Sequence, residues 1–588
     1  MTAQVVVIAG PAGTGKTAQV LRNYREVLGR AEPGCALWLA PNWRAVEEVR
    51  RRLLSGRGGY LAPGVMTFDQ FAEGVVEFSG QQARLIDRQM QRYLIWQLVE
   101  ERRKAEKFRY FAQVADTTGF VDLLAEWIRE MKRLEIWPEQ FRQACQARQT
   151  TDKDQELLDI YEAYQNLLTE HSLYDGEGRF WLARSLLAEG ALLPPAQRQS
   201  LKLVVVDGFT DFTRTQHEIL EHLARRADQM AITLPLEKDS DRKELFAKPE
   251  KTLRELRRRH GGLEVEWLAR PSPPAWPALD HIERRVFANP KHYQPLPQRA
   301  ERMEILAAAS QLAEVELLAK RIKQLLTESE PGDGGGPVRP DDILVLFRSL
   351  EPVSVLVQEV FGRYGIPFVL ESSAPLRSAR SLMALVDLVR LGVEDWPLRR
   401  LLAVLSQSYF QPDWPEWQQG RAGLVADRLI RRLGASQGRE KVFQALGRLI
   451  DHAEDCPVEE DMAAGGGKKT SQDDSGAADR AQTGLRRDAQ TTLSLLQRLA
   501  QALDALPQQA TLTGWAKAWR RLAEEVGVFR AIPRATPTAS FSRGSAELGN
   551  LEPGVLEESA WEELEERLAS ADRLWSWVGR ATPERNRE

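Results

Sequence analysis

The segment Gly-Pro-Ala-Gly-Thr-Gly-Lys-Thr, Gly10 to Thr17, constrains this chain more than any other. It has the spacing G-x-x-x-x-G-K-[ST], follows the apolar run QVVVIA and opens the helix-compatible stretch KTAQVLRNYREVLG. Glycines let the backbone curl until successive N–H groups face one centre, and the helix behind them adds the positive end of its dipole. The ligand suited to such a loop is a polyphosphate. Gly10, Gly13 and Gly15 are expected to shape it, Lys16 to reach the β- and γ-phosphates of a nucleoside triphosphate, and Thr17 to hold its Mg2+.

The surrounding pattern fits. Residues 4–60 read as strand, glycine loop, helix, strand (CALWLAP) and helix (NWRAVEEVRRRLL), the alternation of a parallel α/β sheet. From about 80 to 200 long apolar-periodic stretches such as FVDLLAEWIREMKRLEI replace it, which predicts a helical insertion. Strand character returns in LKLVVVDGF and QMAITLPL, so the first sheet is expected to be completed there. Beyond the Pro-rich PSPPAWPALDH, the segments RMEILAAAS and DDILVLF predict the start of a second sheet. Past residue 380 the chain again reads as helical, interrupted near 461–484 by a Gly/Ser/Lys/Asp-rich stretch expected to be disordered.

In LKLVVVDGFTDFT the apolar run Leu203 to Val206 ends on Asp207. A carboxylate at the end of a central strand, opposite a phosphate loop, can hold Mg2+ directly or through water. Asp207 is therefore the second candidate Mg2+ residue, with Thr17.

Charge and cysteine usage narrow the remaining classes. Lys and Arg total 80 against 84 Asp and Glu, a net charge of -4, so any nucleic-acid contact has to be local. Candidate clusters are Arg50 to Arg52, Arg257 to Arg259 and Arg431-Arg432, each also readable as a solvated helix face. Cys35, Cys145 and Cys456 are too few and too scattered for a disulfide framework or zinc knuckle, which suggests a reducing cytoplasm. No apolar run approaches the roughly 20 residues of a membrane span, and no secretory leader is apparent. The seven histidines form no metal-ligand pattern; His217 and His222 lie five apart, the wrong spacing for one helix face.

The order of these features resembles UvrD-like superfamily 1 helicases. The phosphate loop, Pro41-Asn42 after the second strand, VMTFDQF at Val65 to Phe71, the helical insertion and VVVDGFTDF carry the likeness. Within that superfamily the chain is most similar to AddB, the second subunit of the AddAB helicase–nuclease, through FVDLLAEWIREMKRLEIWPEQF, DIYEAYQNLL, SLYDGEGRFWLA, ILVLFRSLEPV and YGIPFVLESSAPLRSARSL. The resemblance runs from residue 5 to about 410. It implies an α/β P-loop NTPase fold of UvrD-like architecture, with RecA-like parallel sheets and large helical insertions. The implied organisation is a first RecA-like domain in two parts (1–78 and 200–300), a helical insertion (79–199), the start of a second RecA-like domain (301–390) and a further helical region (391–588). ATP and Mg2+ as cofactors, single- and double-stranded DNA as ligands and an AddA-like helicase–nuclease partner are implied with it.

The departures carry as much information. UvrD-like helicases read Asp-Glu-x-Gln-Asp where this chain has Asp207-Gly208-Phe209-Thr210-Asp211, so the glutamate that activates the attacking water is missing. General-base assistance contributes roughly 10²- to 10⁴-fold, and glycine cannot provide it. The sequence leaves no room before the first strand for the glutamine motif that reads adenine, and late helicase motifs, cluster cysteines and a PD-(D/E)XK nuclease core are not found up to Glu588. An N-terminal portion of such a subunit is expected.

Fainter signals suggest DNA contacts at Thr67, Phe68 and Phe71, with core packing the competing use of the rings, and a phosphate contact at Arg348, which reads equally as a surface arginine. The leading expectation is an ATP- and DNA-binding pseudo-helicase subunit acting in double-strand break repair and recombination. The rivals are an autonomous DNA-stimulated ATPase using another carboxylate such as Asp211, and a structural remnant without catalysis.

Overall fold

The computed structural model describes the chain except residues 1–2, 56–58, 82, 195, 197, 271–276, 290, 292–298, 300–302, 328–337, 371–375, 377–378, 418–421, 434–436, 452–473, 533–552, 579–584 and 587–588. The chain divides into two compact units, Met1–Met303 and Glu304–Glu588.

The first unit opens with β1 (Gln4–Gly10), α1 (Lys16–Arg30), β2 (Ala36–Ala40), α2 (Trp43–Leu54), β3 (Val65–Thr67) and α3 (Phe68–Phe78). A mainly helical stretch follows: β4 (Arg84–Leu85), α4 (Arg88–Lys104), α5 (Thr118–Arg133), α6 (Pro138–Ala147), α7 (Asp152–Glu170), β5 (Leu173–Tyr174) and α8 (Gly176–Glu189). The sheet then resumes with β6 (Leu201–Val206), α9 (Arg214–Ala224), β7 (Ala227–Pro235), α10 (Ala247–Arg259), β8 (Glu264–Trp267) and α11 (Pro277–Arg285). The six long-range strands pair in the order β3-β2-β6-β7-β1-β8, and every pairing is parallel.

A parallel sheet hides both faces under helices, so its strands are apolar throughout rather than alternating. β2, ALWLA, is buried at all five positions. One apolar layer joins Val7, Leu37, Val204 and Ile232 to Phe71, Val75 and Leu220; the other joins Ile8, Trp38 and Val205 to Val20, Tyr24, Val46 and Val49. β8 is not apparent from sequence, because EVEW has only half-buried apolar positions at the sheet's edge.

The helical stretch is held by a polar knot. Lys132 on α5 places Nζ 2.7 and 2.8 Å from the two carboxylate oxygens of Asp175, the N-cap of α8. Tyr164 and the Gly178 N–H also donate to that carboxylate, at 2.9 and 2.7 Å. Trp181 lies with its ring centroid 4.9 Å from the ammonium.

The second unit comprises α12 (Gln311–Thr327), α13 (Ser354–Arg363), α14 (Arg380–Val393), α15 (Leu398–Ser406), α16 (Ala422–Arg432), α17 (Arg439–Asp451), α18 (Asp474–Asp504), β9 (Gln509–Ala510), α19 (Leu512–Glu525), α20 (Pro553–Trp577) and β10 (Arg585–Asn586). Two expectations are corrected here. Residues 303–308 and 343–347 are not in strands, and among the described residues the only sheet of this unit is the short β9–β10 pair. Ile343, Val345 and Phe347 pack against α12 and α13, while Leu344 and Leu346 stay exposed, so the alternation is real but lateral pairing is absent. Residues 474–484, expected to be disordered, begin α18, because the Ala-rich AADRAQ favours helix and runs directly into the apolar period that follows. Residues 461–473 lie outside the described residues.

Candidate functional site

Parallel strands point their carboxyl ends the same way, and ligands of open α/β sheets bind at that edge. Gly10 ends β1 and is level with Pro235 of β7, while Val206 ends β6 and is level with Ile232. β7 separates the other two, so the loop after β1 and the residue after β6 meet across its end.

Between Gly10 and Lys16 the backbone turns through Gly13 at φ 77° and Gly15, the N-cap of α1, at φ 86°. Both angles are left-handed and cost a residue with a Cβ about 1–2 kcal/mol. Gly10 is needed for another reason: a Cβ there would lie 2.6 Å from Thr14 Oγ1 and 3.2 Å from the Leu268 carbonyl oxygen. Lys16 folds over the loop, donating to the carbonyls of Gly10 and Pro11 at 2.7 Å each. Burial pushes its ammonium below the ordinary lysine range, opposed by the charge of Asp207. An incoming phosphate oxygen offers that ammonium a stronger, charge-assisted acceptor than either carbonyl.

Thr17, on the first turn of α1, places Oγ1 3.2 and 3.1 Å from the two oxygens of Asp207. Octahedral Mg2+ binds oxygen at 2.0–2.1 Å, which sets neighbouring ligands about 3.0 Å apart. The hydroxyl and carboxylate therefore fit two adjacent corners of a Mg2+ shell. Asp207 is 9% exposed. Its Oδ1 also accepts from the Thr233 hydroxyl at 2.6 Å, and Thr233 Oγ1 accepts from the Gly208 N–H at 3.3 Å. Thr233 is not legible as a site residue in the sequence, because a lone threonine in QMAITLPL is ordinary for a strand; the only signal is one polar side chain near the end of an apolar run.

After Asp207 the chain turns through Gly208 at φ 86°, and a Cβ there would stand 3.3 Å from Cγ and Cδ of Pro41, the residue following β2. Asp211, four residues on, is exposed, with its carboxylate accepting from Thr210 Oγ1 at 3.0 Å.

The remaining candidates separate. Thr67 caps α3 by accepting from the Gln70 N–H at 3.1 Å, completing a capping box. Phe68 and Phe71 are 2% and 0% exposed and stack edge-on at 6.4 Å, with Phe180 and Phe209 also around Phe68. Of the two uses weighed for these rings the structure has core packing, and a base cannot stack on a ring already enclosed by the core. Arg348 is exposed in the second unit, apart in the chain from every other candidate. The basic clusters have acidic neighbours on their own helices: Arg50 meets Glu47, Arg51 and Arg52 meet Glu48, Arg258 and Arg259 meet Glu255, and Arg431 meets Asp427.

The fold is thus that of an α/β protein whose parallel sheet carries the glycine-rich segment Gly10 to Thr17 at its carboxyl edge, facing an aspartate from the middle of the sheet. Residues 7–283 match the family described as ADDB, N-terminal, and over that span the chain is similar to AddB-type subunits. Similar proteins include the B-type subunit of the ATP-dependent helicase/deoxyribonuclease of Desulforudis audaxviator, 31% identical over 410 residues, 66% of this chain and 33% of that protein. The proteins of the same name from Bacillus subtilis and Moorella thermoacetica are 25% and 27% identical, over 63% and 66% of this chain and 32% and 34% of theirs. The chain spans about a third of the length of these curated relatives. Among the described residues, no helix is long and apolar enough to cross a membrane.

Proposed function

We propose that this chain is the ATP- and DNA-binding part of a non-motor subunit in an ATP-dependent helicase–nuclease, working in the cytoplasm beside a catalytic AddA-like partner in double-strand break repair and recombination. The first unit is read as a RecA-like domain of UvrD-like architecture, interrupted by its helical stretch. Gly10, Gly13, Gly15 and Lys16 hold the phosphates, and Thr17 and Asp207 hold the Mg2+ that the nucleotide brings. That ion would supply charge neutralisation at the phosphates; the chain's own groups bind and orient.

The observation that carries the reading is the Thr17–Asp207 pair, spaced as two Mg2+ ligands, beside a glycine in left-handed backbone where a motor would carry its carboxylate. Gly208 offers no carboxylate to activate water, and its left-handed backbone, with the Cβ position tight against Pro41, makes a side chain there strained. Binding is thereby separated from hydrolysis.

The test compares nucleotide binding, ATP turnover and duplex unwinding for the parent and Lys16→Ala, with and without single-stranded DNA. The parent is expected to bind ATP with Mg2+, to turn it over slowly whether or not DNA is present, and to unwind nothing alone; Lys16→Ala loses the binding. Unwinding by the isolated chain at rates typical of motor helicases would refute the proposal.

A further inference from the structure

We infer that Thr233 is a positioning residue for the metal–nucleotide site, setting how tightly Asp207 holds the divalent cation; the inference rests on the reading of Thr17 and Asp207 as Mg2+ ligands. β7 lies between the strand that feeds the phosphate loop and the strand that presents Asp207. Thr233 is level with Ile8 of β1 on one side and, one step past the Val206–Ile232 pair, reaches Asp207 and Gly208 on the other.

A hydroxyl has one proton to give. The Thr233 proton goes to Asp207 Oδ1 at 2.6 Å, and its oxygen receives the Gly208 N–H at 3.3 Å. The side chain is 2% exposed, so water does not compete for either bond. One residue thus ties both the carboxylate and the backbone that follows it. The Thr17 hydroxyl also donates to Asp207, but its oxygen is itself a candidate metal ligand, so Thr233 is the side-chain donor to Asp207 that stands outside the metal's own shell. From there it keeps the carboxylate aimed at the cation. Hydrogen-bond partners one step removed from a metal typically control its affinity by 10- to 100-fold.

The experiment measures the affinity of the full chain for a fluorescent ATP analogue in Mg2+ and in EDTA, for the parent, Thr233→Val and Thr233→Ser. Valine keeps the shape and removes the donor; serine keeps the donor. Thr233→Val is expected to weaken binding about tenfold in Mg2+ while leaving the EDTA affinity unchanged, and Thr233→Ser to restore it. An equal loss in both buffers, no loss in either, or failure of serine to rescue would overturn the role of Thr233 while leaving the site intact. A parent that binds no analogue in either buffer would instead overturn the site reading, and this inference with it. A melting curve for each variant identifies a folding defect, which would appear as loss in both buffers and count against the inference.

Discussion

Gly208 and Pro41 meet where β6 and β2 end side by side: a Cβ on the glycine would lie 3.3 Å from two carbons of the proline ring. The glycine's φ of 86° is left-handed and its Cβ position is tight against the ring, so any side chain there is strained. Replacing Gly208 by the glutamate of motor helicases should therefore not recover a motor. Gly208→Glu is expected to destabilise the chain by about 1–3 kcal/mol and to leave ATP turnover within a few-fold of the parent. Urea unfolding and a coupled ATPase assay check both; a rise in turnover of a hundredfold would show that the missing carboxylate was the only obstacle.

Lys16 spends its hydrogen bonds on the carbonyls of Gly10 and Pro11. On the proposed function a nucleotide would give that ammonium phosphate oxygens instead, and any ligand bound only by the folded state raises the unfolding midpoint. At 100 times its dissociation constant, Mg2+–ATP should stabilise the parent by about 2.7 kcal/mol. Lys16→Ala should melt close to the parent without nucleotide and show little shift with it. Equal nucleotide shifts in the two proteins would exclude the loop as the binding site.

Much of the first sheet could be read from the sequence, and the reason is physical. QVVVIAG, ALWLA and LKLVVV are apolar but for Gln4 and Lys202 near their starts, and a parallel sheet covered on both faces demands that composition. Thr17 and Asp207, separated by 190 residues, can be paired from the sequence because each ends or follows a strand of recognisable type. Two kinds of information are hidden. Lateral pairing is one: DDILVLF has the alternation of a strand, yet Leu344 and Leu346 are 80% and 81% exposed and no partner pairs with it among the described residues. Contacts set by strand order are the other. Nothing in the sequence says that Thr233 sits between β1 and β6, or that Pro41 abuts Gly208.

The Lys132–Asp175 pair makes a prediction about the helical stretch. Its side chains are 1% and 4% exposed, and Lys132 lies on the otherwise apolar face of α5. Removing one member of a buried pair strands the other charge without water, a loss of about 3–5 kcal/mol. Lys132→Met, which preserves most of the side-chain volume, should lower the urea midpoint accordingly. A loss below about 1 kcal/mol would mean that water reaches Asp175. Tyr164 reports the same environment: burial first, then the Asp175 charge, hold its phenol well above the ordinary range, so it should not ionise in spectrophotometric titration before the fold is lost.

His217 on α9 supplies a pH dependence with a definite sign. Burial, reinforced by the charge of Arg259, pushes its imidazole down to about 4, while Glu255 and Glu221 pull weakly the other way and His260 adds to the depression. Among the described residues its Nδ1 has no hydrogen-bond partner, and its ring packs edge-on against Phe212 at 5.4 Å. The unfolded chain takes up the proton near pH 6.5, whereas the folded chain resists it until about 4. Between those values the unfolded state binds more protons, so the contribution is complete above about pH 6.5 and is lost progressively as pH falls towards 4. Glu255, held down to about 2 by Arg258 and Arg259, weakens the fold at lower pH, whereas Glu177 and Glu73, both raised by burial, favour the fold as pH falls and so oppose the histidines. His260 and His222 are also depressed by burial and add to the slope, so replacing one histidine should flatten it without abolishing it. His217→Phe should lose less stability than the parent between pH 7 and pH 4.5 in parallel urea titrations. Superimposable pH profiles for the two proteins would show that His217 is protonated as easily in the fold as outside it.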